Sequence, residues 1–166
     1  MVDDEFDRVF LAVLQRLSAR VAALAGSRHR ADDLVQDVYV RLKSTGRRRD
    51  RFLGHANPYG YALATAVNLA RGGWRADRRL VPLERAAPAT CDGDLPAVDS
   101  WDRVACLLSP LTGKEKAVVL LVDLDGHTLE EAAALLRIHK GTVQRNRERA
   151  LAKLQGRLRE LAAANG

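Results

Sequence analysis

Apolar residues recur every three or four positions along most of the chain, which is the period of a helix with one buried face. Three such stripes lie in the first half, at residues 6–24, 31–42 and 57–70. Glycine-containing pairs follow the first and third stripes, and Asn57 and Pro58 stand where a cap and a first helical turn are expected. The pattern predicts helices and no sheet.

The pattern fails in the middle of the chain. Residues 80–100 contain three prolines and four acids opposed by a single arginine, a composition that neither sustains a helix nor fills a core. We therefore predict an all-α protein of two small helical domains, residues 1–80 and 99–166, joined by a flexible acidic linker at 81–98. Hydrophobic residues make up 47% of the chain and aromatic residues only 5%, a composition that favours helices as well.

The segment 128–154 predicts a helix-turn-helix. Thr128 and Glu131 have the spacing of a capping box, as do Thr112 and Glu115 further upstream, and the chain restarts as a helix near Gly141. Between residues 137 and 159 the chain has eight cations and one acid, so this second helix suits a polyanion. The alternative is a solvated basic helix in an ordinary bundle.

Charge and composition narrow the function further. A net charge of +6 and a pI near 9.8 favour an anionic partner, nucleic acid before membrane. No apolar run is longer than that at residues 117–122, which is too short to span a bilayer, and the acidic N-terminus is unlike a signal peptide, so we expect a cytoplasmic protein without membrane insertion.

The reactive residue types form no site. Cys91 and Cys106 lack metal-ligand spacing, which argues against a disulfide framework or zinc site and makes Cys106 a small core residue. The four histidines are scattered and no hydrolase, metalloprotease or phosphate-loop motif is present. We predict a non-enzyme with no cofactor, no metal and no small-molecule substrate.

Three segments in order resemble the bacterial RNA polymerase sigma factors of the extracytoplasmic-function class, with similarity to the iron-starvation subgroup. ADDLVQDVYVRL, residues 31–42, is similar to the helix that binds core polymerase, and NPYGYALATAVNLA, residues 57–70, to the helix that opens the downstream promoter element. LSPLTGKEKAVVLLVDLDGHTLEEAAALL followed by GTV, within residues 108–143, resembles the domain that binds the upstream element. The resemblance implies core RNA polymerase, promoter DNA and an anti-sigma factor as partners.

The second helix carries the predicted polymerase contact. Its polar side, by resemblance, docks on the largest subunit of the polymerase through Asp33, Gln36, Asp37 and Arg41. From spacing alone, these four residues also fit a solvated helix face with ordinary capping acids.

Downstream promoter contacts are expected around the third helix. The candidates are Phe52, Tyr61, Asn68, Arg71, Arg75 and Arg78. Phe52 lies in a predicted arginine-rich loop, where a ring suits a flipped base but also fits a small packing contact. By resemblance, Asn68 lies at the fork where the DNA strands separate; the alternative is a buried amide with its hydrogen bonds satisfied. An aromatic residue at the position of Tyr61 more often packs in a core than stacks on DNA.

Upstream contacts are expected on the last helix. The candidates are His139, Lys140, Thr142, Gln144, Arg145, Arg149 and Lys153. Among them we expect Gln144 and Arg145 to contact base edges, and Lys140, Arg149 and Lys153 to contact phosphate. The chain departs from the family at Arg137, where glycine is usual, at His139, where serine is usual, at Asn146, where arginine is usual, and at Arg147, where an apolar residue is usual. We expect the first two departures to make the turn or the start of the last helix less stable than in relatives.

The sequence therefore predicts a sigma factor that binds core polymerase, recognises a bipartite promoter and helps to open it. A stand-alone helix-turn-helix regulator, which binds duplex DNA without polymerase, is the second hypothesis. A helical adaptor whose charge serves only solubility is the third, and it requires the helix-turn-helix pattern to be accidental.

Overall fold

The structure is a computed structural model that describes residues 4–26, 28–80 and 100–166. These residues form helices connected by short turns, and the all-α prediction is confirmed. The predicted linker, residues 81–98, lies outside the described residues, and the domain boundaries stay a prediction. We call residues 4–80 the N-terminal block and residues 100–166 the C-terminal block.

The N-terminal block contains the three predicted helices and a further one. Its helices are α1 (Asp4–Ala25), α2 (Arg28–Lys43), α3 (Gly46–Leu53) and α4 (Pro58–Leu80). Helix α3 occupies the segment predicted as a loop, because Thr45 caps it by accepting a hydrogen bond from the Arg48 amide at 3.4 Å. Helix α2 starts three residues before the predicted Ala31, so Asp32 and Asp33 lie beyond its first turn.

Helix α4 also differs from the prediction. It continues through Gly72 and Gly73 to Leu80, although this pair was expected to end it. Glycine lowers helix stability by only about 1 kcal/mol per residue relative to alanine, so two glycines within a helix of 23 residues weaken it without breaking it.

The C-terminal block contains the predicted helix-turn-helix. Its elements are α5 (Ser100–Leu108), α6 (Gly113–Val118), a π-helical segment (Val119–Leu124), α7 (Leu129–Leu136) and α8 (Lys140–Ala164). Both predicted capping boxes form, at Thr112 with Glu115 and at Thr128 with Glu131. The π-helical segment was not predicted, because widening a helical turn leaves the apolar pattern of the sequence unchanged.

The hydrophobic core is continuous between the two blocks. Helix α1 packs on α2, α4 and α5, and α4 packs on α6 and α7. One cluster of buried side chains accordingly extends from Phe6 in α1 to Ala150 in α8. We refer to this packing of the two blocks against each other as the closed arrangement.

The sequence pattern does not decide the burial of two residues. Leu158 continues the apolar stripe of Val143 and Ala150 on α8, yet it is 53% exposed. Cys106, expected to be a small core residue without a disulfide, is half-buried and disulfide-bonded, with its partner outside the described residues.

Candidate polymerase and DNA surfaces

The predicted polymerase contact forms a single exposed face on α2. Its four residues, Asp33, Gln36, Asp37 and Arg41, are all exposed. The opposite face is buried through Ala31, Val35, Val38 and Leu42. Val40 lies beside this polar face and is 63% exposed, an apolar side chain that sequence analysis did not single out. A single exposed apolar side chain is common on protein surfaces, so the case for this face rests on its four polar residues.

The helix-turn-helix has a tight turn that depends on Arg137. This residue ends α7 in the left-handed conformation, with φ 54° and ψ 46°, which side chains other than glycine rarely adopt. Helix α8 then begins after His139, whose side chain makes no capping hydrogen bond. Both departures from the family therefore cost stability in this turn, as their positions in the sequence predicted.

The predicted base-contacting face of α8 is accessible. Thr142, Gln144, Arg145 and Arg149 are exposed, whereas Val143 and Ala150 are completely buried and fix the rotation of the helix. Gln144 donates a hydrogen bond to Glu148 at 3.2 Å, and Arg145 has no ion pair with a described residue. The first two turns of α8 thus present the donors that base edges accept.

Two of the predicted phosphate contacts already have acidic partners. Lys140 pairs with Glu130 across the turn, and the Lys153 ammonium donates to Glu115 at 2.8 Å. Burial raises the pKa of Glu115, but the hydrogen bonds from Lys153 and from the Thr112 amide outweigh it, so the pKa lies below its ordinary value. Lys153 consequently has a structural role that the sequence prediction did not include.

Asn146 is buried and Arg147 lies at the surface, the reverse of what the usual residues at these two positions suggest. Arg147 does not enter the core but forms a bidentate pair with Asp123, with contacts between 2.7 and 3.1 Å. Asn146 is only 8% exposed, and its Nδ2 atom has no hydrogen-bond partner within the described residues. The helix therefore places an amide against the N-terminal block and keeps its arginine at the rim.

The prediction that Phe52 contacts a base is not supported by its position. Phe52 is completely buried, with its ring centroid 5.3 Å from that of Phe6 and 6.2 Å from that of Phe10. The segment is a helix whose Phe52 ring turns into the core, so the packing alternative is correct. Removing this ring would open a cavity in the N-terminal block rather than change an exposed surface.

The other downstream candidates lie on or near an accessible part of α4. Asn68 is exposed, which excludes the alternative of a buried amide, and Arg71 is half-buried one turn later. Tyr61 is half-buried, with its ring 5.1 Å from the His55 ring. The side chains of Arg75 and Arg78 lie outside the described residues.

A buried carboxylate joins the two blocks. Asp125, directly after the π-helical segment, has a completely buried side chain. It accepts hydrogen bonds from the Tyr59 hydroxyl at 2.6 Å, from Arg20 Nε at 2.9 Å and from Arg16 at 3.3 Å. The Arg16 guanidinium also lies 4.1 Å from the centre of the Tyr59 ring. Burial, and then the hydrogen bond to Asp125, raise the pKa of Tyr59 far above its ordinary value, so its hydroxyl remains a donor.

A second polar contact lies beside the first. Asn57 Nδ2 is 2.9 Å from His127 Nε2, and the other ring nitrogen of His127 is 3.0 Å from the Leu121 carbonyl oxygen. A side chain at Gly60 would come within 2.6 Å of Asn57 and 3.2 Å of His127, so glycine permits this approach. The sequence does not reveal these contacts, because the partners of Asp125 and His127 lie 66 and 70 positions away in the chain.

Comparison with known proteins agrees with this geometry. Residues 101–154, which contain the helix-turn-helix, match the family model described as Sigma-70, region 4. The chain is 28% identical over 151 residues to the ECF RNA polymerase sigma factor EcfG of Rhodopseudomonas palustris, covering 89% of this chain and 82% of that protein. The chain thus contains a Sigma-70 region 4 domain and is a homologue of a sigma factor of the extracytoplasmic-function class. Such proteins direct transcription initiation, and the iron-starvation subgroup stays a prediction.

Solved structures share the fold of this sigma factor. RpoE of Bartonella quintana, in complex with the anti-sigma factor NepR, is similar with a TM-score of 0.71 and 24% identity, over 93% of this chain and 96% of that one. CnrH, in complex with the cytosolic domain of CnrY, is similar with a TM-score of 0.60 and 22% identity, over 93% and 88%. Within the described residues, no helix is long and apolar enough to cross a bilayer.

Proposed function

We propose that this sigma factor binds core RNA polymerase through the exposed face of α2, and promoter DNA through α4 and the first turns of α8. The observation that carries the proposal is the arrangement of α2, where the polar residues Asp33, Gln36, Asp37 and Arg41 share one exposed face. None of the four is needed to cover the core. The protein acts in the cytoplasm, where polymerase and DNA are found, and without chemistry of its own.

Upstream DNA is bound by the two exposed turns that open α8. Gln144 and Arg145 contact base edges, because the N-terminal end of such a helix enters the major groove most deeply. Arg149 contacts phosphate, since it is exposed and has no ion pair with a described residue. Lys140 and Lys153 contribute less than their charge suggests, because each must first leave an acidic partner.

Downstream DNA is bound along α4, through exposed Asn68 and half-buried Arg71. The same DNA surface includes Tyr61, which precedes these two residues on α4, and Arg75 and Arg78, which follow them. Phe52 is not part of it, because a completely buried ring contacts no base.

Promoter binding requires the closed arrangement to open. Arg71, a downstream contact, and Thr142, an upstream contact, line one cavity of about 50 Å³ between the blocks. A major groove is roughly 12 Å wide, so no duplex fits between these two side chains. An anti-sigma factor would act on this equilibrium, and the structurally similar sigma factor RpoE was solved in complex with the anti-sigma factor NepR.

A charge reversal on α2 tests the polymerase contact. Asp37→Arg combined with Gln36→Ala should abolish co-purification with core polymerase, while the helical circular dichroism stays unchanged because both side chains are exposed. Asp50→Arg is the matched control, since Asp50 is exposed on α3. Assembly retained by the α2 variant would contradict the proposal. A wild-type chain that binds duplex DNA but never polymerase would favour the stand-alone regulator.

Two arginines on α8 test the DNA contacts. In holoenzyme, Arg145→Ala should weaken binding to the preferred upstream element by roughly 1–3 kcal/mol and relax discrimination at one or two positions. Arg149→Ala should weaken all sequences about equally and lower the salt slope by about one unit. Titrations on matched and mismatched duplexes at several salt concentrations measure both effects. Identical behaviour of the two variants would show that α8 makes no base contacts.

A further inference from the structure

The cavity between the two blocks is lined by hydrogen-bond donors. Arg71 of α4 contributes a guanidinium from the N-terminal block. Lys114 of α6, and Thr142 and Asn146 of α8, contribute an ammonium, a hydroxyl and an amide from the C-terminal block. The remaining wall is apolar, and no carboxylate lines it. Four side chains that can donate hydrogen bonds, two of them cationic, therefore line one small space.

The two cations leave positive charge uncompensated at this interface. Neither Arg71 nor Lys114 forms an ion pair with a described residue, in contrast to Lys140, Arg147 and Lys153 nearby. Like charges that line one cavity repel each other, and partial burial weakens the screening by water. An anion bound between Arg71 and Lys114 would replace this repulsion by an attraction of both cations to the anion.

Asn146 is the independent indication of a ligand. It is 8% exposed and its Nδ2 atom has no hydrogen-bond partner within the described residues. A buried donor without a partner costs about 1–3 kcal/mol, so such groups are rare unless something binds them. Because Asn146 lines the same cavity as the two cations, its amide is available to the same acceptor.

We propose that this cavity binds a phosphate-type oxyanion that bridges the two blocks. A cavity of about 50 Å³ holds several waters, since one water needs roughly 10–15 Å³, and this space suits a single phosphate group. Lys114 and Thr142 are exposed, so the ion reaches them from solvent. An anion held by both blocks stabilises the closed arrangement by mass action and opposes promoter binding.

Inorganic phosphate is the probe, and the full chain is the sample. Phosphorus NMR and isothermal titration, at constant ionic strength with chloride as the balancing anion, should show saturable binding. Arg71→Gln with Lys114→Gln should weaken this binding at least tenfold, because a charge-assisted contact is lost on each side. If the double variant does not fold, Lys114→Gln alone provides the test. Lys114 is exposed, so this variant should fold, and it should still bind phosphate more weakly than the wild type. Arg51→Gln, exposed on α3, is the control and should leave the binding unchanged.

Asn146→Leu separates ligand binding from packing. It should raise the thermal midpoint of the phosphate-free protein, because a buried unpaired amide is removed, and it should still weaken phosphate binding severalfold. A purely structural asparagine would leave phosphate binding unaltered, and that result would count against the amide contact and the proposal.

A DNA arm distinguishes free phosphate from the phosphate of a nucleic-acid backbone. A duplex without promoter elements should bind the Lys114→Gln variant and the wild type equally. The proposal is overturned if phosphate binding does not saturate, if it is the same in the cavity variants, or if those variants lose only duplex affinity. No polymerase enters these measurements, so their failure is distinct from failure of the proposed sigma function.

Discussion

The contact between Tyr59 and Asp125 provides a direct test of the closed arrangement in solution. These residues belong to different blocks, and the Tyr59 hydroxyl donates to a completely buried carboxylate at 2.6 Å. Replacing Asp125 by Asn retains the size of the side chain and removes its charge. Because the two residues are 66 positions apart in the chain, only packing of the blocks brings them together.

The size of the effect follows from the partners of Asp125. Hydrogen bonds to charged groups contribute about 1.5–3 kcal/mol, and neutral ones about 0.5–1.5 kcal/mol. Asp125→Asn removes the negative charge that accepts from Tyr59 and Arg20 and leaves one acceptor oxygen for these two donors, so we expect a loss of about 2–3 kcal/mol. The contact with Arg16 adds little, because the Arg16 side chain is 57% exposed and screened by water.

A double-mutant cycle with Tyr59→Phe isolates the contact. Urea unfolding of the wild type, Asp125→Asn, Tyr59→Phe and the double variant should give a coupling free energy of about 1–2 kcal/mol, since each single change removes the same charge-assisted bond. A cycle of Tyr59→Phe with Asp50→Asn, on exposed α3, is the control and should be additive. A coupling below about 0.5 kcal/mol between Tyr59 and Asp125 would refute the closed arrangement in solution.

Two further predictions concern the C-terminal block. Arg137→Gly should stabilise the protein by about 1 kcal/mol and raise its thermal midpoint by roughly 2–4 °C, because glycine adopts φ 54° without strain. Arg137→Ala retains the strain and should give no such gain. Equal thermal midpoints of the Gly and Ala variants would contradict this explanation. The pKa of Glu115 is lowered from 4.5 in the folded state, so its carboxylate contributes stability above that pH and loses the contribution as pH falls through the folded pKa. The difference in thermal midpoint between wild type and Glu115→Gln should therefore narrow below about pH 4.5, and a difference that is constant down to pH 3 would show that the ion pair with Lys153 does not form.

Local interactions could be predicted from the sequence because their partners are close in the chain. The capping boxes at Thr112 and Thr128 each join residues three positions apart, and both are present. The exposed face of α2 follows from the helical period alone, which places Asp33 and Asp37 opposite the buried Val35 and Val38. The strained turn at Arg137 was predicted in the same way, from one residue in a position that favours glycine.

Contacts between distant residues could not be predicted in this way. Phe52 was placed in a loop because its neighbours are arginines, yet it packs on Phe6, which is far away in sequence and adjacent in the core. The partner of Lys153 is Glu115, 38 residues before it, so its charge appeared to be available for phosphate.

By itself, the sequence determined the helices, the helix-turn-helix and the exposed α2 face, since these depend on periodicity and on side chains bonding to nearby backbone. Only the tertiary structure decided which polar groups are buried together. Asp125 is an ordinary turn residue until Tyr59 and Arg20 surround it, and Asn146 is an ordinary helix residue until tertiary packing buries it beside the cavity. The physical reason is that burial, and with it the strength of a charge or hydrogen bond, is set by neighbours from elsewhere in the chain.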